Sequence, residues 1–301
     1  MKINDFELRS YRNINEIHLE PCEGVNIIYG ENAQGKTNIL EAMFLFTGLK
    51  SFRGSKDSEL LQFGKEQAKI NVNFHTSLRD HKAEIRITDR RRASLNGISL
   101  KSPTELMSRF PAAVFSPGFM SLIQSGPAER RKFIDSAICQ IKPKYASVIA
   151  EYTKLIKQRN AVLKDNEDIK SVRVFLECIN EAFSQLGEEI YKERKEYLDL
   201  LLPYASEIYS GLSSGKEQIS FTYLRKGCHK ENESLRDIIL SHERADIAAK
   251  MTLTGPHRDD IEININSVSA RSFGSQGQKR SAAIALKLSE AQVIKTCLSF
   301  M

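Results

Sequence analysis

Residues 25–37 read Val25-Asn26-Ile27-Ile28-Tyr29-Gly30-Glu31-Asn32-Ala33-Gln34-Gly35-Lys36-Thr37. Val25, Ile27, Ile28 and Tyr29 have the composition of a short buried strand, which runs into the pattern G-x-x-x-x-G-K-T. A polyphosphate needs many hydrogen-bond donors and little steric bulk. Gly30 and Gly35 let the backbone turn tightly, so that N–H groups along Glu31, Asn32, Ala33 and Gln34 can converge on an anion. Lys36 reaches the β- and γ-phosphates, and the Thr37 hydroxyl ligates a Mg²⁺ ion brought in by the nucleotide. Ile39, Leu40, Met43 and Phe44 form one face of a helix from 36 to 48, whose positive dipole end faces the same anion. Strand, loop and helix in that order predict an α/β fold around a nucleoside triphosphate.

Working outward, residues 2–29 alternate as strands, with Phe6, Leu8, Ile17, Leu19, Val25 and Ile27 at the apolar positions. Residues 69–100 read as antiparallel strands, the last pair closing on the turn Asn96-Gly97. Pro111 to Phe115 reads as a short buried strand. The texture then changes. Residues 127–212 carry long amphipathic helical patterns, with breaks expected at Pro143 and Pro203. Strand patterning returns at Ile219–Leu224 and at Ile261–Ile265, with a polar helix between them. The division expected is a nucleotide-binding lobe from 1–122 and 252–301, interrupted by a mainly helical arm at 123–251. The arm is either a partner surface or a lid.

The chain of 301 residues carries a net charge of +6, a mild basic excess compatible with a polyanionic partner. Cys22, Cys139, Cys178, Cys228 and Cys297 match no zinc or redox spacing, which suggests a reducing, cytoplasmic compartment. The first residues do not read as a signal peptide, and no apolar run reaches the ~20 residues that span a bilayer.

A second constellation lies at Ser272-Phe-Gly-Ser-Gln-Gly-Gln-Lys-Arg-Ser281. Ser275 and Gln278 make a capping box, so a helix starts there. Gly277 leaves its first turn bare, and the N-terminus is a second candidate anion site. Arg130 and Arg131 follow Pro127 in what reads as a first helical turn, where two cations oppose the helix dipole. A phosphate or an acidic partner would offset that, so both are DNA or interface candidates. Arg90-Arg91-Arg92 reads as a solvated turn. His257, Asp259 and Asp260 read as a turn before they read as a metal site.

Gly274-Ser275-Gln276-Gly277-Gln278 resembles the L-S-G-G-Q signature of the ABC-type ATPases, departing from it at Gly274 and Gln276. Further marks resemble the SMC-like DNA-repair ATPases, and among them the RecF family. They are Leu8-Arg9-Ser10-Tyr11-Arg12-Asn13, Ser51-Phe52-Arg53, Phe115-Ser116-Pro117, the run from Gly126 to Asp135, Gln158-Arg159-Asn160, and Gly255-Pro256-His257-Arg258-Asp259-Asp260. The resemblance covers the whole chain. It implies an ABC-type lobe with a mixed sheet, ATP with Mg²⁺, and an ATP-dependent homodimer in which Ser275, Gly277 and Gln278 act on the partner's nucleotide. It also implies single-stranded and gapped duplex DNA, RecO and RecR as partners, RecA loading, and Arg12 near the nucleotide. A weak DNA-dependent ATPase activity is implied too, but no apolar run ending in Asp-Asp or Asp-Glu follows position 281. No catalytic residue is therefore assigned, and the chain is expected to stop short of the Walker B strand. A P-loop small-molecule kinase and a nucleotide-sensing DNA-binding module without turnover are the other readings.

Overall fold

The computed structural model describes residues 1–165, 169–230 and 233–299. It divides into two compact units, Met1–Val114 and Phe115–Met301.

In the first unit, β1 (Lys2–Tyr11) and β2 (Ile14–Leu19) form a hairpin on a two-residue turn, and α1 (Lys36–Phe44) follows the glycine-rich loop. The strands β3 (Ala68–His75), β4 (Asp80–Ile87), β5 (Arg91–Leu95) and β6 (Ile98–Ser99) then add to β1. The sheet has the order β2-β1-β3-β4-β5-β6, and every pair is antiparallel. Period-two alternation builds the core. Phe6 and Leu8 of β1, Ile70, Val72 and Phe74 of β3, and Ala83, Ile85 and Ile87 of β4 are buried on one face, where Ile39 and Ala42 of α1 and the following Leu45 and Phe46 join them. The β5–β6 turn is the expected one, with Asn96 at φ 52° and Gly97 at φ 80°.

Two strand expectations fail here. Residues 25–29 form no strand, and Val25, Ile27 and Tyr29 are 84, 79 and 89% exposed. Residues 111–115 form none either, and Phe115 is 46% exposed. An apolar run becomes a strand only where a neighbour completes its hydrogen-bond ladder. Among the described residues neither segment has one. Leu40, placed with Ile39, Met43 and Phe44 on one apolar face of the helix, is 49% exposed.

The second unit is mainly helical. Its helices are α2 (Ser121–Gln124), α3 (Pro127–Ile141), α4 (Lys144–Asp165), α5 (Ile169–Leu212), α6 (Leu235–Ala249), α7 (Ala270–Phe273) and α8 (Gln276–Ser299). The strands β7 (Ile219–Leu224), β8 (Asp260–Ile265) and β9 (Val268–Ser269) form a small antiparallel sheet. The 44-residue α5 is the spine, packing against α4, α6 and α8. Pro143 separates α3 from α4, as expected. Pro203 does not break α5, which runs through it at the cost of one backbone hydrogen bond. No described helix is long and apolar enough to cross a membrane.

Candidate functional site

The glycine-rich loop of the first unit turns through three left-handed positions, Gly30 at φ 144°, Ala33 at φ 65° and Gly35 at φ 96°. Gly35 is required twice over. Its φ disfavours a side chain, and a Cβ there would lie 3.0 Å from both Asn13 Oδ1 and Ile14 Cγ1. Gly35 caps α1 without any side-chain cap, so the first turn of α1, starting at Lys36, keeps its anion-seeking N–H groups. Glu31, Asn32, Ala33, Gln34 and Thr37 are exposed. Lys36 Nζ folds over the loop and donates to the carbonyls of Gly30 and Glu31 at 2.8 and 2.5 Å.

Arg12 is placed against α1. Its guanidinium makes a two-pronged pair with Glu41, at 2.6 and 2.9 Å, and donates to Ser55 Oγ at 2.6 Å. Glu41 is fully buried and also accepts from the Ser51 hydroxyl. Burial alone would raise its carboxyl, but the hydrogen bonds from Arg12 and Ser51 outweigh that and hold it below the usual carboxylate range. Arg12 thereby ties the β1–β2 turn to the helix that starts at the phosphate loop. Glu41 escaped the sequence reading because a carboxylate inside an apolar helix face looks like an exposed one until its partner is known.

In the second unit, Ser275 and Gln278 form the expected reciprocal cap. Ser275 N donates to Gln278 Oε1 at 2.8 Å, and Gln278 N donates to Ser275 Oγ at 3.2 Å. Gly277 has no neighbouring heavy atom nearer than 3.9 Å to an added Cβ, so the start of α8 is open. Gln278 Nε2 donates to Glu217 Oε1 at 2.6 Å, and the Tyr209 hydroxyl at the end of α5 donates to the other Glu217 oxygen at 2.6 Å. These two bonds, Tyr209 first, hold the Glu217 carboxyl below its ordinary range.

Arg130 and Arg131, the DNA or interface candidates, both have partners within the second unit. Arg130 is 5% exposed and makes a two-pronged pair with Asp260 at 2.8 and 2.9 Å. Its remaining nitrogen donates to the carbonyls of Ser125 and Leu122. Arg131 donates to the Asp259 carbonyl at 2.5 Å. The charges at the start of α3 are offset by protein acceptors, with no need of a phosphate. The signal was available: Arg130-Arg131 and Asp259-Asp260 are adjacent pairs of opposite sign.

The same geometry explains residues 255–260 as an internal turn. A Cβ at Gly255, φ 114°, would lie 2.6 Å from the Tyr152 hydroxyl. That hydroxyl donates to Nδ1 of His257 at 3.0 Å, which leaves Nε2–H to donate to the Thr252 carbonyl at 3.3 Å. Asp259 accepts from the Tyr223 hydroxyl at 2.9 Å and from the Lys226 N–H at 2.8 Å. The carboxylates weighed as metal ligands thus meet protein donors.

In sequence order, a glycine-rich loop opening α1, a long mainly helical stretch and a capped helix start at α8 are the parts of an ABC-type P-loop ATPase fold. Two SMC head domains share the fold, with TM-scores of 0.52 and 0.51 at 16 and 14% identity, over 98 and 97% of this chain and 77 and 84% of theirs. An AAA-domain family model matches residues 1–244. The DNA replication and repair protein RecF of Lachnoclostridium phytofermentans is 37% identical over 297 residues, covering 98% of this chain and 82% of that relative. RecF of Clostridium acetobutylicum is 36% identical over 299 residues, with the same coverage. A solved structure of the recombination mediator protein RecF with ATP, of the RecFOR pathway, superposes with a TM-score of 0.91 at 33% identity, over 99% of this chain and 82% of that one. The chain belongs to the RecF family.

Proposed function

We propose that the protein binds ATP with Mg²⁺ through Gly30–Thr37 and uses the bound nucleotide to join two copies and engage DNA in replication and recombinational repair. The observation that carries this is the loop itself: left-handed Gly30, Ala33 and Gly35 feeding directly into an uncapped helix start that bears Lys36 and Thr37. Bound ATP would supply a triphosphate anion, with its metal held in part by the Thr37 hydroxyl. In the dimer, Ser275, Gly277 and Gln278 of one copy face the nucleotide of the other. An isolated helix start with a serine hydroxyl and a bare second residue suits such an anion.

The DNA reading rests on the family's name and on the net charge of +6. Its finer content is single-stranded and gapped duplex DNA, RecO and RecR as partners, RecA loading and support of the SOS response in the cytoplasm. The RecFOR setting of the superposed relative supports RecO and RecR as partners. Titration calorimetry with ATP–Mg²⁺ tests the core of the reading. Lys36→Ala is expected to weaken binding at least tenfold, since a charge-assisted contact to phosphate contributes about 1.5–3 kcal/mol. Unchanged affinity would remove the assignment.

A further inference from the structure

Three side chains outside the phosphate-loop motif are linked head to tail and end on its backbone. Arg53 Nη1 donates to Asn38 Oδ1 at 2.9 Å, Asn38 Nδ2 donates to Asn13 Oδ1 at 2.7 Å, and Asn13 Nδ2 donates to the Ala33 carbonyl at 2.6 Å. Each amide gives one hydrogen bond and takes one, so the order fixes which way each amide faces. The relay draws on three parts of the fold: the loop around Arg53, the first turn of α1 and the β1–β2 turn. It meets the phosphate loop at two points. Besides the bond to Ala33, Asn13 Oδ1 lies 3.0 Å from where a Gly35 Cβ would be.

Ala33 is the one non-glycine residue of residues 30–37 in the left-handed region, at φ 65°. For an alanine that conformation costs roughly 1 kcal/mol or more and persists only where its surroundings impose it. A trans peptide is planar, with its C=O and N–H pointing in opposite directions. Holding the Ala33 carbonyl toward Asn13 therefore turns the Gln34 N–H the other way. If that peptide rotated, the loop would show an anion a carbonyl oxygen in place of a donor.

We propose that Asn13 is a positioning residue for phosphate binding: it sets the Ala33–Gln34 peptide so that the Gln34 N–H faces the bound polyphosphate, and Asn38 and Arg53 hold Asn13 in that pose. The inference rests on the nucleotide reading of the same loop. It assigns a role to a residue that the loop motif does not contain.

The test is calorimetric titration of the full chain with ATP–Mg²⁺ and ADP–Mg²⁺, alongside thermal melts without ligand. Asn13→Asp keeps the acceptor for Asn38 and removes the donor to Ala33, and is expected to weaken both nucleotides about tenfold or more. Asn13→Ala should weaken them about five- to tenfold, the value of one net hydrogen bond plus lost preorganisation. Arg53→Gln should weaken them two- to threefold. The double variant Asn13→Ala/Arg53→Gln should bind no worse than Asn13→Ala, because Arg53 acts through Asn13. A purely structural role would not give that non-additivity, and melts of Asn13→Asp within about 2 °C of the starting protein separate positioning from folding. If Asn13→Ala does not fold, Asn13→Asp and Arg53→Gln still decide. ATP affinity of Asn13→Asp within twofold of the starting protein overturns the proposal, and an additive double variant overturns the relay. Should Lys36→Ala bind like the starting protein, or the starting protein bind no ATP, the nucleotide reading falls with it. Loss in Lys36→Ala with full binding in the Asn13 variants removes the relay alone.

Discussion

At the scale of single residues, the second unit is organised by buried charge. Arg130 and Asp260 hold the start of α3 to the start of β8, and removing one partner strands the other. Arg130→Ala is expected to lower unfolding stability by about 3 kcal/mol, the lower end of the range for broken buried pairs, because Asp260 keeps 24% of its side-chain surface exposed. Urea melts check this, and a double-mutant cycle with Asp260→Asn should recover most of the loss as coupling.

His257 makes stability depend on pH. Desolvation, together with Arg258, Arg131 and Arg159 nearby, lowers its pKa to about 4 despite the hydrogen bond with the Thr252 carbonyl. In the unfolded chain it titrates near the ordinary 6.5. Between those values the unfolded state binds the extra proton, so stability falls as pH drops from about 6.5 toward 4. Asp259 acts in the opposite sense, since burial holds its pKa above the ordinary value and favours the folded state in acid. The expected outcome is a melting temperature that drops between pH 7 and pH 5, with a shallower drop in His257→Gln. An equal slope in both proteins would count against a neutral buried imidazole.

At the scale of elements, local chemistry was legible where it is self-contained. The Asn96-Gly97 turn needs only its own two residues, and the start of α8 needs only Ser275 and Gln278. Asn13, Glu41 and Glu217 were not legible, because each acts on a partner at least 20 residues away, and spacing carries no trace of that. Pro203 misled because α5 is held along its length by α4, α6 and α8, and tertiary packing can carry a helix past one missing bond. The open start of α8 gives a prediction at this scale. Ser275→Arg should block an ATP-dependent dimer by bulk and lost cap while leaving ATP binding intact. Light scattering with and without ATP reads it, and a dimer that forms without nucleotide would refute the arrangement.

For the whole molecule, the relevant quantity is the excess of cations, 44 against 38 acidic residues. Since backbone phosphates dominate such binding, DNA affinity should be modest, indifferent to sequence and steeply reduced by salt. Arg130 is locked to Asp260, so Arg130→Gln, in whatever fraction folds, should leave the slope of log affinity against log salt unchanged. Fluorescence anisotropy on a labelled single strand, repeated across ionic strengths, provides the slope.

The segment Val25-Asn26-Ile27-Ile28-Tyr29 has a further consequence, for handling the purified protein. It is uncharged and rich in β-branched and aromatic residues, with its side chains largely in water. An exposed segment of that composition can pair as a strand with the same segment of other copies. Colloidal behaviour should therefore worsen steeply with concentration, turbidity should be seeded by preformed particles, and shelf life should lengthen when one lysine is placed in the segment. Asn26→Lys adds that charge within the segment, outside the phosphate loop.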